Sequence, residues 1–280
     1  MTMDTVESRR TLNINPSFVI GISILIVWIV IAIFADQISP YNPIKTVAGA
    51  REAPSASFLF GTDRLGRDVL SRVMHGSRIS LMLGLISVLI GAIVGTLFGI
   101  LSGYYGGLID TIIMRITDAM LAFPGILLAL VVIASLGTGI IKVMIAVGIS
   151  TIPIYARLIR STVLTVREQP YIDAATLLGV RDIVIMYRHV LPNTLAPLIV
   201  LSTLQVGNAI TIGAGLSFLG MGAQPPDAEW GLMAATGRAV LGKAWWISTF
   251  PGIAILTAVM ACNLLGDSLR RTIDPRIRLR

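Results

Sequence analysis

Six stretches of this chain are long, apolar and almost free of charge: 17–35, 79–101, 119–136, 140–158, 195–219 and 247–265. An α-helix rises 1.5 Å per residue, so about 20 such residues cross the roughly 30 Å hydrocarbon core of a bilayer. Lipid offers backbone N–H and C=O groups no partner, and segments of this kind must satisfy themselves as helices. The expected fold is therefore all-α, a polytopic membrane protein with six transmembrane helices. Composition points the same way: 13% of the residues are charged, against about 25% in a soluble domain. Six spans leave only loops out of 280 residues, so no sizeable soluble domain fits beside them.

The run from Ser17 to Ala35 exceeds the roughly 7–15 apolar residues of a signal-peptide core and lacks a small-residue cleavage pattern, so it reads as a retained first span. Six spans put both termini on one side. Placing the termini in the cytoplasm assigns thirteen of the 22 Lys and Arg residues to inside segments, including Arg270, Arg271, Arg276, Arg278 and Arg280 directly after the last span. The expected organisation is a cytoplasmic N-terminal segment (1–16), the first span (17–35), an extracytoplasmic loop (36–78) and a five-helix core (79–266). A cytoplasmic loop (161–193) interrupts the core, and a basic cytoplasmic tail (267–280) follows it. The net charge of +7 sits at the ends of apolar runs, not in one patch, which argues against nucleic acid as a partner and for membrane lipid. Cys262, the single cysteine, lies in an apolar run and reads as packing.

Within the first loop, Leu65, Val69 and Val73 recur every fourth residue between Asp63 and Ser80. This predicts a short amphipathic helix lying in the interface, with Asp68 and Arg72 paired one turn apart. In the second span Gly91, Gly95, Gly99 and Gly103 fall on one face, a ridge over which another helix backbone can approach closely. Pro124, Pro153, Pro197 and Pro251 predict kinks or helix starts.

Catalytic chemistry has no foothold in the sequence. His75 and His189 are separated by three spans, HExxH and CxxC are absent, and no run of intramembrane carboxylates could relay protons. No metal site and no catalytic residue is expected. GRAVLGK (237–243) has phosphate-loop spacing, but Ala244 follows where Ser or Thr should hold Mg²⁺, and Trp245 and Trp246 read as interfacial anchors.

The stretch from Ser161 to Asn193 has more design than a linker needs. Pro170 can start a helix, Asp173 complements its positive end, and Gly179 can close it in a left-handed conformation. Asp182 can cap a second helix that stops at Pro192, and Ala174 and Ala175 offer a surface of little bulk for close docking. This segment, DAATLLGVRDIVIMYRHVLP, resembles the cytoplasmic signature of permease subunits of binding-protein-dependent ABC importers: Glu-Ala-Ala, three residues, Gly, nine residues, Ile, one residue, Leu-Pro. The match is carried by Asp173, Ala174, Ala175, Gly179, Leu191 and Pro192. Asp173 replaces Glu with its charge kept, whereas His189 stands where Ile is usual. The strings FGTDRLGRDVLSRVMHGSRIS, GYYGGLIDTIIMRITDAMLAFPG, LSFLGMGAQPPDAEWG and GDSLRRTIDPR are similar to the C-type permease subunit of the dipeptide, oligopeptide and nickel importer family.

That resemblance implies a transport subunit without catalysis of its own, which pairs with a second homologous permease, two cytoplasmic ATPases and an extracytoplasmic substrate-binding protein. The chain would bind no cofactor, since ATP and Mg²⁺ belong to the ATPases. It implies an inner-membrane location and couples the signature residues to the ATPases. Short peptides are the expected cargo, with nickel, metal chelates or another small solute as the alternative. An ion-coupled secondary transporter would need charged residues at the membrane midplane, which the spans lack, and a scaffold without transport is the remaining rival. On the fifth span Gln205, Asn208 and Thr211, with Gly215, fall within about a 120° arc and form the expected translocation pathway.

Overall fold

The computed structural model describes residues 16–273, and among them the chain is helical with loops and no named strand. Helix α1 (Pro16–Ile38) rises to what we term the upper end of the bundle, and α2 (Val69–Tyr105) descends from it. Helices α3 (Gly107–Leu121) and α4 (Gly125–Leu136) form an elbow, and α5 (Ile140–Arg167) descends again. Across the lower end run α6 (Pro170–Leu177), α7 (Asp182–Ile185) and a π-helical turn, Met186–Val190. Helix α8 (Leu191–Phe218) then rises, α9 (Trp230–Arg238) covers part of the upper end, and α10 (Trp246–Ile273) descends.

Five of these elements are long and apolar enough to span a membrane, and the α3–α4 pair, bent by 97°, makes a sixth only when its two helices are counted as one broken span. The sequence reading drew 119–136 as one straight span; the structure breaks it at Ala122–Pro124. Pro124 has no N–H for the helix ladder and disfavours helical geometry at the residue before it. It takes an extended ψ of 136° and starts α4 in a new direction. Pro153, Pro197 and Pro251, by contrast, lie inside continuous helices.

The glycine ridge fixes the centre of the bundle. Helices α2 and α5 run parallel, and the ridge meets α5 residue by residue: Gly91 faces Thr151, Gly95 faces Tyr155, Gly99 faces Ile159 and Gly103 faces Val163. A Cβ at Gly95 would sit 2.7 Å from the Ile152 carbonyl oxygen, and one at Gly99 2.7 Å from that of Ala156. The two backbones touch, and only glycine permits it.

The expected interfacial helix is corrected by the structure. Residues 63–68 form a turn, and the helix begins at Val69 as the top of α2, 37 residues and about 55 Å long. Val69 and Val73 do not face lipid headgroups; both are buried against Trp230, Met233 and Trp246. Asp68 does not pair with Arg72 but caps α2, accepting from the Ser71 N–H at 2.7 Å and its hydroxyl at 2.6 Å. Arg72 is buried, and a buried guanidinium must place its donors. It donates to the carbonyls of Pro43 (2.8 Å), Pro226 (3.3 Å) and Asp227 (2.8 Å), with Asp63 at 3.6 Å, and so clasps the two upper loops together. Trp245 is exposed as an anchor should be, but Trp246 is interior, its indole N–H donating to the Thr62 carbonyl at 3.0 Å.

Glu229 caps α9, accepting from the N–H groups of Gly231 (2.9 Å) and Leu232 (2.8 Å). Burial pushes its carboxyl above the usual range, and those two donors pull the other way.

Candidate functional site

The lower end is built as the sequence punctuates it, with two differences. Pro170 opens α6, and Asp173 stands exposed in its first turn. The helix closes in a double hydrogen bond: Val180 N–H to Ala175 C=O at 3.1 Å and Gly179 N–H to Thr176 C=O at 3.0 Å, with Gly179 at φ +72°. The next helix is entered through Arg181, not capped by Asp182, whose carboxylate instead accepts from the Tyr104 hydroxyl at 3.0 Å. Nor does the helix stop at Pro192. It passes through the π-helical turn, where the Leu191 N–H reaches back to the Met186 carbonyl, and continues as α8. Pro192 lies at the first turn of α8, where a missing N–H costs little. π-Turns of this kind recur at functional sites.

Two short helices need an anchor, and their inner faces supply it. Ile172, Ala175, Ile185 and Val190 pack on Ile159 and Val163 of α5. This corrects the expectation that Ala174 and Ala175 form a docking surface together, because consecutive helical residues point about 100° apart. Ala174 is exposed, whereas Ala175 is turned into the protein's own core. The outward face is made instead by Leu177 (89% exposed), Leu178 (83%), Ile183 and Tyr187. The short apolar helices of the sequence hinted at such a face but did not say which residues would be left over after packing. His189 is half-buried beside the Tyr171 ring, and Leu191 is half-buried near the turn.

Polar contacts join the lower half of α5 to its neighbours. Arg167 at the end of α5 donates to the Tyr104 carbonyl at 2.9 Å. Arg160 holds Asp110 of α3 through two bonds of 2.6 Å, and Arg157 holds Asp118 at 2.8 Å. These contacts tie the lower half of α5 to α2 and α3, and the Tyr104–Asp182 bond ties α7 to α2.

On α8 the structure brings Gln205, Asn208 and Thr211 together but does not give them equal access. Asn208 and Thr211 are exposed, and Gln205 is buried behind them, its Oε1 accepting from Asn208 Nδ2 at 3.3 Å. The Thr211 hydroxyl donates to the Gly207 carbonyl at 3.0 Å, which leaves its lone pairs facing outward. Ile126 of α4 borders this face at Gly215. Among the described residues no group of His, Cys, Asp and Glu is placed to hold a metal ion.

Residues 95–279, which include the lower-end helices and the α8 face, match the family described as the binding-protein-dependent transport system inner membrane component. The chain belongs to that family. Residues 6–54 match the N-terminal transmembrane domain of oligopeptide transport permease C. Among curated relatives, the glutathione transport system permease protein of Escherichia coli is 47% identical over 256 residues, covering 91% of this chain and 84% of that one. The di/tripeptide transport system permease protein of Pseudomonas aeruginosa is 43% identical over 92% of this chain and 88% of its own. The dipeptide transport system permease protein of Alkalihalophilus pseudofirmus is 42% identical, over 97% and 90%. Among solved structures, a chain of the inward-facing MetNI methionine ABC transporter superposes with a TM-score of 0.58 at 17% identity, over 73% of this permease and 97% of that chain. This likeness shows a shared fold. The permease is thus a multi-pass membrane component of an ABC importer.

Proposed function

We propose that this permease forms, with a second permease, the membrane pathway of an ATP-driven importer of di- and oligopeptides. An extracytoplasmic binding protein delivers the cargo at the upper end, and two ATPases dock at the lower end, which is cytoplasmic. Relatives above 40% identity along more than nine-tenths of the chain, named for glutathione and for di- and tripeptides, carry the cargo reading. The α8 face supports it: a carboxamide and a hydroxyl, neutral and hydrogen-bonding, suit a peptide backbone and offer no charge to a bare metal ion. ATP hydrolysis belongs to the ATPases, and this chain binds neither ATP nor Mg²⁺. Closure of the ATPases pushes Asp173 to Pro192, and the ties through Arg167, Arg160 and Asp182 carry the push into the spans.

The test is uptake of labelled dipeptide and of glutathione by proteoliposomes holding both permeases, with and without the ATPases and binding protein. Uptake that needs ATP and all components is expected; uptake driven by an ion gradient without the ATPases would overturn the reading. Cysteines introduced as Ser55→Cys and Pro226→Cys in a Cys262→Ala background should react with an impermeant reagent from outside, and Arg181→Cys should not. Replacing Asn208 and Gln205 by Leu is expected to lower peptide uptake about tenfold with the complex still assembled, a loss of about 1.4 kcal/mol. Unchanged uptake in an assembled complex would place the pathway on another face.

A further inference from the structure

Helix α8 carries no charged side chain in its 28 residues. Its outward face is a single stripe: Asn208, Thr211 and Phe218 are exposed and Gly215 is half-buried, within about an 80° arc, while Ile210, Ala214 and Leu216 between them are buried. At the upper end of that stripe, where cargo arrives, lies a cation. The guanidinium carbon of Arg238, in the last turn of α9, sits over the Phe218 ring, 5.3 Å from its centroid.

Other arginines of the bundle are already committed. Arg67, Arg72, Arg78, Arg157 and Arg160 each stand 2.6 to 3.6 Å from an aspartate, and Arg167 donates to a backbone carbonyl. Arg238 is exposed, and among the described residues its guanidinium meets the Phe218 ring but neither a carboxylate nor a carbonyl. Stacking uses the flat face of a guanidinium and leaves the N–H groups at its edge free, in the fork that fits a carboxylate. Asp227 and Glu229 cannot fill it: they stand at the other end of α9, about 13 Å away along the helix, where Glu229 accepts from the N–H groups of Gly231 and Leu232. A counter-charge for the C-terminus of α9 explains a basic residue at this position, whereas a stacked guanidinium with an open edge also holds a planar pair of donors in one place. The spacing suits a short peptide. Thr211 lies about 10 Å below Phe218 along α8, and an extended chain covers about 3.5 Å per residue, so two or three residues bridge Arg238 and the Thr211 hydroxyl.

We propose that Arg238, stacked on Phe218 at the upper end of the α8 face, receives the free α-carboxylate of the peptide cargo and makes the pathway selective for cargo that carries one. The proposal rests on the peptide-importer reading above, which supplies the cargo; the position and the chemistry come from the stacked guanidinium. Glutathione and di- and tripeptides, for which the relatives are named, all end in such a carboxylate.

Uptake of labelled alanylalanine and of its C-terminal amide by the complete complex in proteoliposomes tests it, each cargo being supplied on saturated binding protein so that the affinity of that protein drops out. The unaltered complex should prefer the acid about tenfold, and Arg238→Gln should erase that preference by slowing the acid about tenfold and the amide less than twofold. Arg238→Lys, which keeps the charge but not the fork, should slow the acid about threefold. Limited proteolysis reads the other role of a basic residue at a helix end, and α9 in Arg238→Gln should resist cleavage as well as in the unaltered chain. An acid preference that survives in Arg238→Gln, no preference in the unaltered complex, an equal loss for both cargoes or a loosened α9 overturns the carboxylate assignment and leaves the importer reading standing. If the unaltered complex takes up neither cargo with ATP, the importer reading itself fails.

Discussion

Replacing Gly95 by Leu is expected to remove the folded permease from the membrane, with Gly99→Leu doing nearly the same. At Gly95 a Cβ would overlap that of Tyr155 and sit 2.7 Å from the Ile152 carbonyl oxygen, both parts of a helix that cannot move aside. Flexible side chains relieve overpacking by rotating; a backbone has to shift, and here the shift would part α2 from α5 along their whole contact. Overpacking in a core costs about 1–3 kcal/mol and occasionally more, and a backbone clash at the centre of the bundle belongs at the top of that range. Gly107→Leu, where a Cβ meets nothing within 4 Å but φ is +54°, should retain far more folded protein. Heating detergent extracts and measuring the fraction that stays monodisperse separates the three. A Gly95→Leu protein as resistant as the unaltered one would mean that the close α2–α5 approach is not what holds the bundle.

How far such features were legible depended on whether periodicity or partnership determined them. Span positions follow from hydrophobic length, and five were readable as single helices, because lipid forces each apolar run to be a helix whatever it packs against. The ridge Gly91 to Gly103 was readable as a ridge, since spacing alone puts the glycines on one face, while α5 as its partner was not. Arg72 shows the opposite case. Sequence proximity offered it Asp68 one turn away, but tertiary structure gave Asp68 to the N-terminus of α2 and brought Arg72 the carbonyls of Pro43, Pro226 and Asp227. Interactions across more than 150 residues leave no local trace. The α3–α4 elbow was half legible: Pro124 signalled a break, but the 97° turn depends on how α4 packs against α5 and α8. At the lower end Pro170 and Gly179 marked the start and close of α6, and burial then divided the motif's residues in a way that no spacing could show.

That division yields the sharpest functional contrast in the molecule. Leu177 and Leu178 are almost wholly exposed at the C-terminal end of α6, whereas Ala175, two residues before Leu177, is buried on Ile159 and Val163. If the lower end docks an ATPase, large apolar side chains held on a rigid turn are its anchors, and truncating such an anchor costs about 2 kcal/mol or more. Replacing Leu177 and Leu178 together by Asp is therefore expected to weaken ATPase association about 30-fold and to abolish coupled uptake while the permease remains folded. Ala175→Asp should act by another route. Its carboxylate would enter an apolar core without a partner, at a cost of several kcal/mol, so α6 should detach from α5 and the 167–193 segment become open to protease before any ATPase is added. Gly179→Val falls between the two, because φ +72° opposes a β-branched residue although its Cβ would meet no neighbour. Limited proteolysis of each variant without ATPase, then ATPase co-purification and ATP-driven uptake, distinguishes anchor from support. The assignment is wrong if the Leu177 and Leu178 double variant couples normally, or if Ala175→Asp stays protease-resistant and loses only ATPase binding, for then Ala175 itself would be part of the docking face.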